Sequence, residues 1–172
     1  HSDLRRQRQM CIRDRISRVC FPKNWKILLV MQDKTSNFYG DREIKAIEGL
    51  PKITKEKSSA LCRETLLRVI PAIIDKDFES FAEGITNIQN LMGEFFFNAQ
   101  NGSTFSSPSV GKVISVLAKN FDIGSGQSSW GPTGFAIFES NDEVQKAIKF
   151  LKKNNLVTDG LRFDVTLSLI HI

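Results

Sequence analysis

The sequence predicts an α+β domain, a small antiparallel or mixed sheet with helices packed on one of its faces. Three observations carry this reading. Two short apolar runs, Trp25 to Met31 and Gly134 to Phe138, have the length and composition of buried strands. Between and after them, apolar residues recur at helical spacing. Near the end, Leu161, Phe163, Val165 and Leu167 alternate with Arg162, Asp164 and Thr166, the period-two pattern of a half-buried strand.

The first strand follows Pro22 and runs into the loop DKTSNFYG. The run KITKEK, residues 52–57, is a solvated loop or a helix start. Residues 58–74 then place Cys62, Leu66, Ile70, Ile73 and Ile74 on one helical face. Pro71 interrupts that pattern, because it lacks an N–H and clashes with the preceding turn, so a kink or break is expected near residue 70. Phe78, Phe81, Ile85, Ile88 and Met92 mark the clearest helix, with Asp75 or Asp77 available to cap its first amides. Phe95, Phe96 and Phe97 read as packing residues.

Ser107 followed by Pro108 is an N-cap and first-turn pair for a helix burying Val110, Val113, Ile114 and Leu117. A further short strand is expected near Phe121 to Ser125, ahead of GFAIFE. Ser140 and Glu143 form a capping box, opening a helix that turns Val144, Ala147, Ile148 and Leu151 inward. Lys152 and Lys153 close it, where the helix dipole favours cations.

A length of 172 residues with 41% hydrophobic and 25% charged residues suits one domain with its own core. The apolar runs are far shorter than the roughly 20 residues a membrane-spanning helix needs. Three cysteines, Cys11, Cys20 and Cys62, contain no CxxC pair, which signals neither a disulfide framework nor a zinc site and makes a reducing cytoplasm the expectation. The net charge is +5, but residues 1–15 hold five arginines against two aspartates, so the body is nearly neutral and no nucleic-acid or membrane partner is expected. Both histidines, His1 and His171, lie at the ends, leaving the body without an imidazole for a metal, a triad or a general base.

The opening HSDLRRQRQMCIRDR and the closing SLIHI resemble translated adapter sequence, so residues 1–15 and 168–172 are set aside as non-native tails around a domain at 16–167.

One segment departs from ordinary patterning: FDIGSGQSSWGPTGFAIF, residues 121–138. Its glycines allow close backbone approach, and its amides and hydroxyls could surround an anion. The candidate substrate- or phosphate-binding residues are Gly124, Ser125, Gly126, Gln127, Ser128, Ser129, Trp130, Gly131 and Thr133. Gly126, Gly131 and Thr133 echo part of a phosphate loop, but Pro132 stands where that loop needs lysine, which rejects a Walker site. A plain hairpin connection is the alternative. Trp130 in a long loop offers a stacking surface for a ring.

The string GSGQSSWGPTGFA resembles the signature of the β-ribofuranosylaminobenzene 5′-phosphate synthase family, within the GHMP (galactokinase, homoserine, mevalonate, phosphomevalonate) kinase superfamily. FPKNWKILLVMQ with GDREIKAIEGLP, and LLRVIPAIIDKDFESFAEGITNIQNLMGEFFFNAQNGSTFSS, resemble other parts of that family's C-terminal region, so the likeness covers roughly residues 19–145. It implies a GHMP-kinase-type C-terminal domain of ferredoxin-like split βαβ form. It also implies that an N-terminal half of the same protein is missing from this chain.

The activity implied is a decarboxylating ribosyl transfer from phosphoribosyl pyrophosphate to 4-aminobenzoate or 4-hydroxybenzoate, on the way to tetrahydromethanopterin-type cofactors. Mg²⁺ or another divalent cation would accompany the pyrophosphate, with no bound organic cofactor and no protein metal ligand assigned. Glu43 and Gln100 are weaker site candidates, and the catalytic residues are left to the absent half. A homodimer stays open. Two other readings remain: a GHMP small-molecule kinase using ATP, and a catalytically silent fragment.

Overall fold

Apolar side chains on both faces of the first strand, β1 (Lys26–Gln32), place it inside a sheet rather than at its edge. The computed structural model describes residues 18–32, 49–100, 102–128, 131–157 and 160–166. In it, β1 joins β2 (Gly124–Gln127), β3 (Gly134–Phe138) and β4 (Leu161–Thr166) in the order β2-β3-β1-β4, every neighbour antiparallel. Leu28 faces Ala136 on one side and Val165 on the other. The order is that of a split βαβ unit repeated, the ferredoxin-like arrangement. The expected tails, and Glu43, lie outside the described residues.

The connection from β1 to β2 is helical. It runs through α1 (Lys55–Arg63), a π-helical segment (Glu64–Val69), α2 (Ile70–Asp75), α3 (Phe78–Phe96) and α4 (Pro108–Asn120); α5 (Asn141–Lys153) joins β3 to β4. The break expected near residue 70 falls there, as a change of winding. Ile70 N–H reaches Thr65 O, five residues back, and the helix resumes with Pro71 in its first turn, where no N–H is needed. Arg68 fastens the π-helical segment to its surroundings by ion pairs with Glu64, at 3.0 Å, and with Glu83 of α3.

Caps set the other helix starts. Thr54 accepts from Lys57 N, Asp77 from Ser80 N, Ser107 from Val110 N and Ser140 from Glu143 N. The 52–57 run is therefore a helix start. The Glu143 carboxylate receives Lys146 Nζ at 2.6 Å, and that pairing raises the lysine's pKa.

Helices cover both faces of the sheet, not one as the pattern predicted. The reason is written in the strands: Ile27, Leu29, Phe135 and Ile137 point one way, and Leu28, Val30, Ala136 and Phe138 the other. A strand apolar on both sides cannot leave either in water without losing about 25 cal/mol for each Å² of apolar surface. On the first face, Phe78, Phe81 and Ala82 of α3 and Ala72 of α2 pack against Trp25, whose ring sits 4.7 Å from Phe81 and 5.2 Å from Phe78. On the second, Val110, Val113, Ile114 and Leu117 of α4 meet Val144, Ala147 and Leu151 of α5. No described helix is long and apolar enough to cross a membrane.

Candidate functional site

The edge strand β2 reads GSGQ, four residues with almost no apolar side chain, yet all four are buried. What buries them is the approach of α3. A Cβ on Gly124 would stand 3.1 Å from the Ala82 Cα, and one on Gly126 would overlap the Gln89 side chain, so only glycine lets the helix come this close. The outward amides of the edge are closed by that helix: Ser125 N donates to Thr86 Oγ1 at 3.1 Å and Gln127 N to Gln89 Oε1 at 2.9 Å.

From Ala82 onward, the α3 face toward the sheet runs Ala82, Thr86, Gln89 and Gly93, which is small and polar because it meets glycines rather than apolar side chains. Ile88 and Met92, expected on the buried stripe, are only half-buried.

The Gln127 side chain ties three pieces together. Its Oε1 accepts from Ser106 N at 2.6 Å, and its Nε2 donates to Gln100 Oε1 at 3.5 Å. Gln100 ends the 3₁₀ turn Asn98–Gln100 and is itself buried. Beyond Gln127 the chain turns through a hairpin in which Ser128 N donates to Thr133 O and Gly131 N to Ser128 O, both at 2.9 Å. Gly131 has φ +72° and lies against Ser106 Oγ and the Gln127 carboxamide, a position with neither the dihedral nor the space for a side chain.

The predicted site residues thus separate into two groups. Gly124, Ser125, Gly126 and Gln127 form a strand, which begins three residues later than the one expected near Phe121 to Ser125 and takes these four out of the loop. Ser128, Gly131 and Thr133 form the hairpin, while Ser129 and Trp130 lie outside the described residues. The free-amide cradle is corrected for four donors: the amides of Ser125, Gln127, Ser128 and Gly131 are engaged within the protein, two because an edge strand under a helix must satisfy its outer N–H groups and two because they close the turn.

A cavity of about 310 Å³ opens along the β2 edge, between α3 and α4. Ser125, Gly126, Gln127 and Gln100 line it from the sequence-predicted set. Thr86, Gln89, Asn90, Phe96, Thr104 and Ser115 join them from outside it. Every polar side chain in the lining ends in a hydroxyl or a carboxamide, and none is charged. The signal that could have found the missed residues is the spacing of Ala82, Thr86, Gln89 and Gly93, a small, neutral stripe at helical intervals beside the apolar one.

A second, wider hollow beside the α3 N-terminus has the opposite character. Asp77, Glu79, Glu83, Asp122 and Glu139 rim it against Lys76, which disfavours an anion there. The hydrogen bonds from Ser80 hold the Asp77 carboxyl below its ordinary pKa. Among the described residues, no cluster of three or more His, Cys, Asp or Glu could hold a metal ion. The hydroxyls and carboxamides of the cavity do not fit a protein-held divalent cation, so no step below is assigned to one.

Curated relatives bear the name beta-ribofuranosylphenol 5′-phosphate synthase. That of Archaeoglobus fulgidus is 27% identical over 128 residues, which are 73% of this chain and 36% of the relative. That of Methanothermobacter thermautotrophicus is 26% identical over 128 residues, 74% of this chain and 36% of the relative. The chain therefore spans about a third of the length of these relatives. Among solved structures, homoserine kinase from Cytophaga hutchinsonii superposes with a TM-score of 0.56 at 18% identity, over 87% of this chain and 43% of that one, a likeness of fold. A family model described as GHMP kinases C terminal matches residues 69–156, half of the chain, from the π-helical segment to the end of α5. By that match and by its split βαβ sheet, the chain belongs to the GHMP kinase C-terminal family.

Proposed function

We propose that this chain supplies the C-terminal domain of a decarboxylating ribosyltransferase, which joins phosphoribosyl pyrophosphate to a 4-substituted benzoate in tetrahydromethanopterin-type cofactor synthesis. The observation that carries the reading is the shared synthase name of relatives matched over nearly three quarters of the chain. Their printed product is a phenol, which favours 4-hydroxybenzoate over 4-aminobenzoate as acceptor.

The chemistry asks little of general bases. The ribosyl C1–O bond breaks with its electron pair leaving on pyrophosphate, and the ring carbon bearing the carboxylate bonds to C1. Loss of carbon dioxide then restores the ring. Carbon dioxide departs where a proton would otherwise have to be removed, so an imidazole is unnecessary. The protein's contribution is positioning and hydrogen bonding. In this reading the hairpin from Ser128 to Thr133, with Ser129 and Trp130, meets the phosphorylated donor through its hydroxyls, and Glu43 stands as a weaker contact. The divalent cation arrives as part of the pyrophosphate substrate, and the catalytic groups belong to the rest of the longer protein. Free, exposed Cys20 and Cys62 suit a reducing, cytoplasmic setting.

The test is thermal unfolding of the full-length reading frame that carries this chain, with phosphoribosyl pyrophosphate and magnesium or with ATP and magnesium. A ligand bound only by the folded state adds about 2.7 kcal/mol at a hundredfold excess over Kd. A rise with phosphoribosyl pyrophosphate, followed by carbon dioxide release from carboxyl-labelled 4-hydroxybenzoate, supports the synthase. A rise with ATP alone replaces it with a small-molecule kinase.

A further inference from the structure

We propose that the cavity along the β2 edge receives the hydroxyl-bearing aromatic ring of the acceptor, and that the donor's phosphates bind outside it. The identity of the acceptor rests on the ribosyl transfer proposed above. The exclusion of phosphate rests on the cavity alone.

Three features select the ring. First, the cavity has no cationic side chain to replace the hydration of a pyrophosphate, and burying such an anion without a partner is strongly unfavourable. Second, about 310 Å³ lies at the low end of small-molecule pockets, enough for a substituted single ring and too small for a nucleotide. Third, Phe96, Phe105 and Met92 supply apolar walls, while the Gln100 carboxamide at the buried end, with the threonine and serine hydroxyls of the lining, can hydrogen-bond one hydroxyl.

Ser115, Ala118 and Thr104 are exposed and form the mouth. A ring seated with its hydroxyl inward presents the opposite carbon, the one bearing the carboxylate, at that mouth. There it can bond to ribosyl C1 as pyrophosphate leaves with the C1–O electron pair. The electron pair of the breaking ring–carboxylate bond returns to the ring as carbon dioxide departs.

Saturation-transfer NMR on the 172-residue chain, with phenol, 4-hydroxybenzoate and pyrophosphate as probes, tests the assignment. A ligand as small as phenol is expected to bind at about 1 mM. Ser115→Trp, and Ala118→Trp should the first variant unfold, fill the mouth from the exposed face of α4. The expected result is transfer to phenol and 4-hydroxybenzoate, no displacement of phenol by excess pyrophosphate, and a Kd for phenol raised about tenfold or more in the folded variant.

Displacement by pyrophosphate, failure of both aromatic probes to bind, or an unchanged phenol Kd in both folded variants overturns the assignment. The full-length protein separates this failure from that of the function. Carbon dioxide release with an unchanged acceptor KM in Ser115→Trp keeps the transferase and rejects the cavity. Phenol binding lost in Ser115→Trp, without any carbon dioxide release by the unaltered full-length protein, keeps a phenol pocket and rejects the transferase.

Discussion

β2 and β3 are hydrogen-bonded neighbours held in place by opposite means. β3 reads GFAIF and anchors itself, with Phe135 and Ile137 in one core and Ala136 and Phe138 in the other. β2 reads GSGQ and is anchored by others: Thr86 and Gln89 of α3 close its amides, and Ser106 holds the Gln127 side chain. A strand with few side chains lets a helix approach, but it leaves unfilled space beyond its edge. The cavity lies in that space, so the side chains that make the sheet stable and those that make the site are largely different residues.

The comparison predicts its largest contrast in side-chain truncations. Phe138→Ala empties a position that is 1% exposed and is expected to cost about 3 to 5 kcal/mol. Ser125→Ala, on the neighbouring strand, leaves the Ser125 N to Thr86 bond intact and is expected to cost no more than about 1.5 kcal/mol. Urea unfolding of the two variants measures the difference; equal losses would mean that β2 is anchored by its own side chains after all.

Added methyl groups come next. Gly134→Ala on β3 would drive a Cβ to 2.6 Å from Val110 Cγ1 and 2.8 Å from Ile114 Cγ1, an overpacking worth about 1 to 3 kcal/mol. Gly126→Ala on β2 meets the Gln89 side chain instead and displaces the acceptor of Gln127 N, leaving a buried amide unpaired at about 1 to 3 kcal/mol. The totals are similar, but the couplings are not. A double-mutant cycle with Gln89→Ala should show an interaction with Gly126→Ala and near-additivity with Gly134→Ala.

Gln127→Leu is a milder perturbation. It removes the acceptor of Ser106 N and the long, 3.5 Å donor to Gln100 Oε1, and because Ser106 is exposed and Gln100 lines the cavity, water can take over both roles. The loss is then the net value of an ordinary hydrogen bond, about 0.5 to 1.5 kcal/mol. Amide exchange should accelerate at Ser106 and Gly131 while Ile137 on β3 stays protected. Uniform acceleration across both strands would show that Gln127 supports the whole sheet.

The contrast between the strands also explains what the sequence made legible. β1, β3, β4 and α3 to α5 announce themselves because their side chains face a core, and periodicity is a record of that facing. The same strands carried a signal that the one-face reading passed over: WKILLVM and GFAIF are apolar without alternation, which already requires cover on both sides. β2 has no such record. Its glycines read equally well as a turn, a phosphate cradle or a closely approached strand, and only the partner helix decides among them. Gln100 was legible as a polar residue near the site, whereas Thr86 and Gln89 were hidden inside a helix whose apolar stripe drew the eye.

The smallest effect concerns the N-terminus of α3, the helix that holds β2. Asp77 accepts from Ser80 N at 3.1 Å, and these hydrogen bonds lower its pKa from the ordinary 3.8. A carboxyl with a lowered folded pKa adds stability that is fully present above its unfolded pKa and is lost as pH falls through the folded value. Acid below pH 3.8 should therefore loosen the first turn of α3. Asp77→Asn keeps an N-cap acceptor without the charge, so its stability should follow that of the parent near neutral pH and lose this component of the acid dependence. Because Ala82, one turn along α3, touches Gly124, the loosening should reach β2 before β3. Amide exchange compared between parent and Asp77→Asn at the same acidic pH reads it: faster exchange at Ser125 and Gln127 in the parent, with Ile137 unchanged. Equal exchange at all three would place the acid-sensitive support of β2 elsewhere than in this cap.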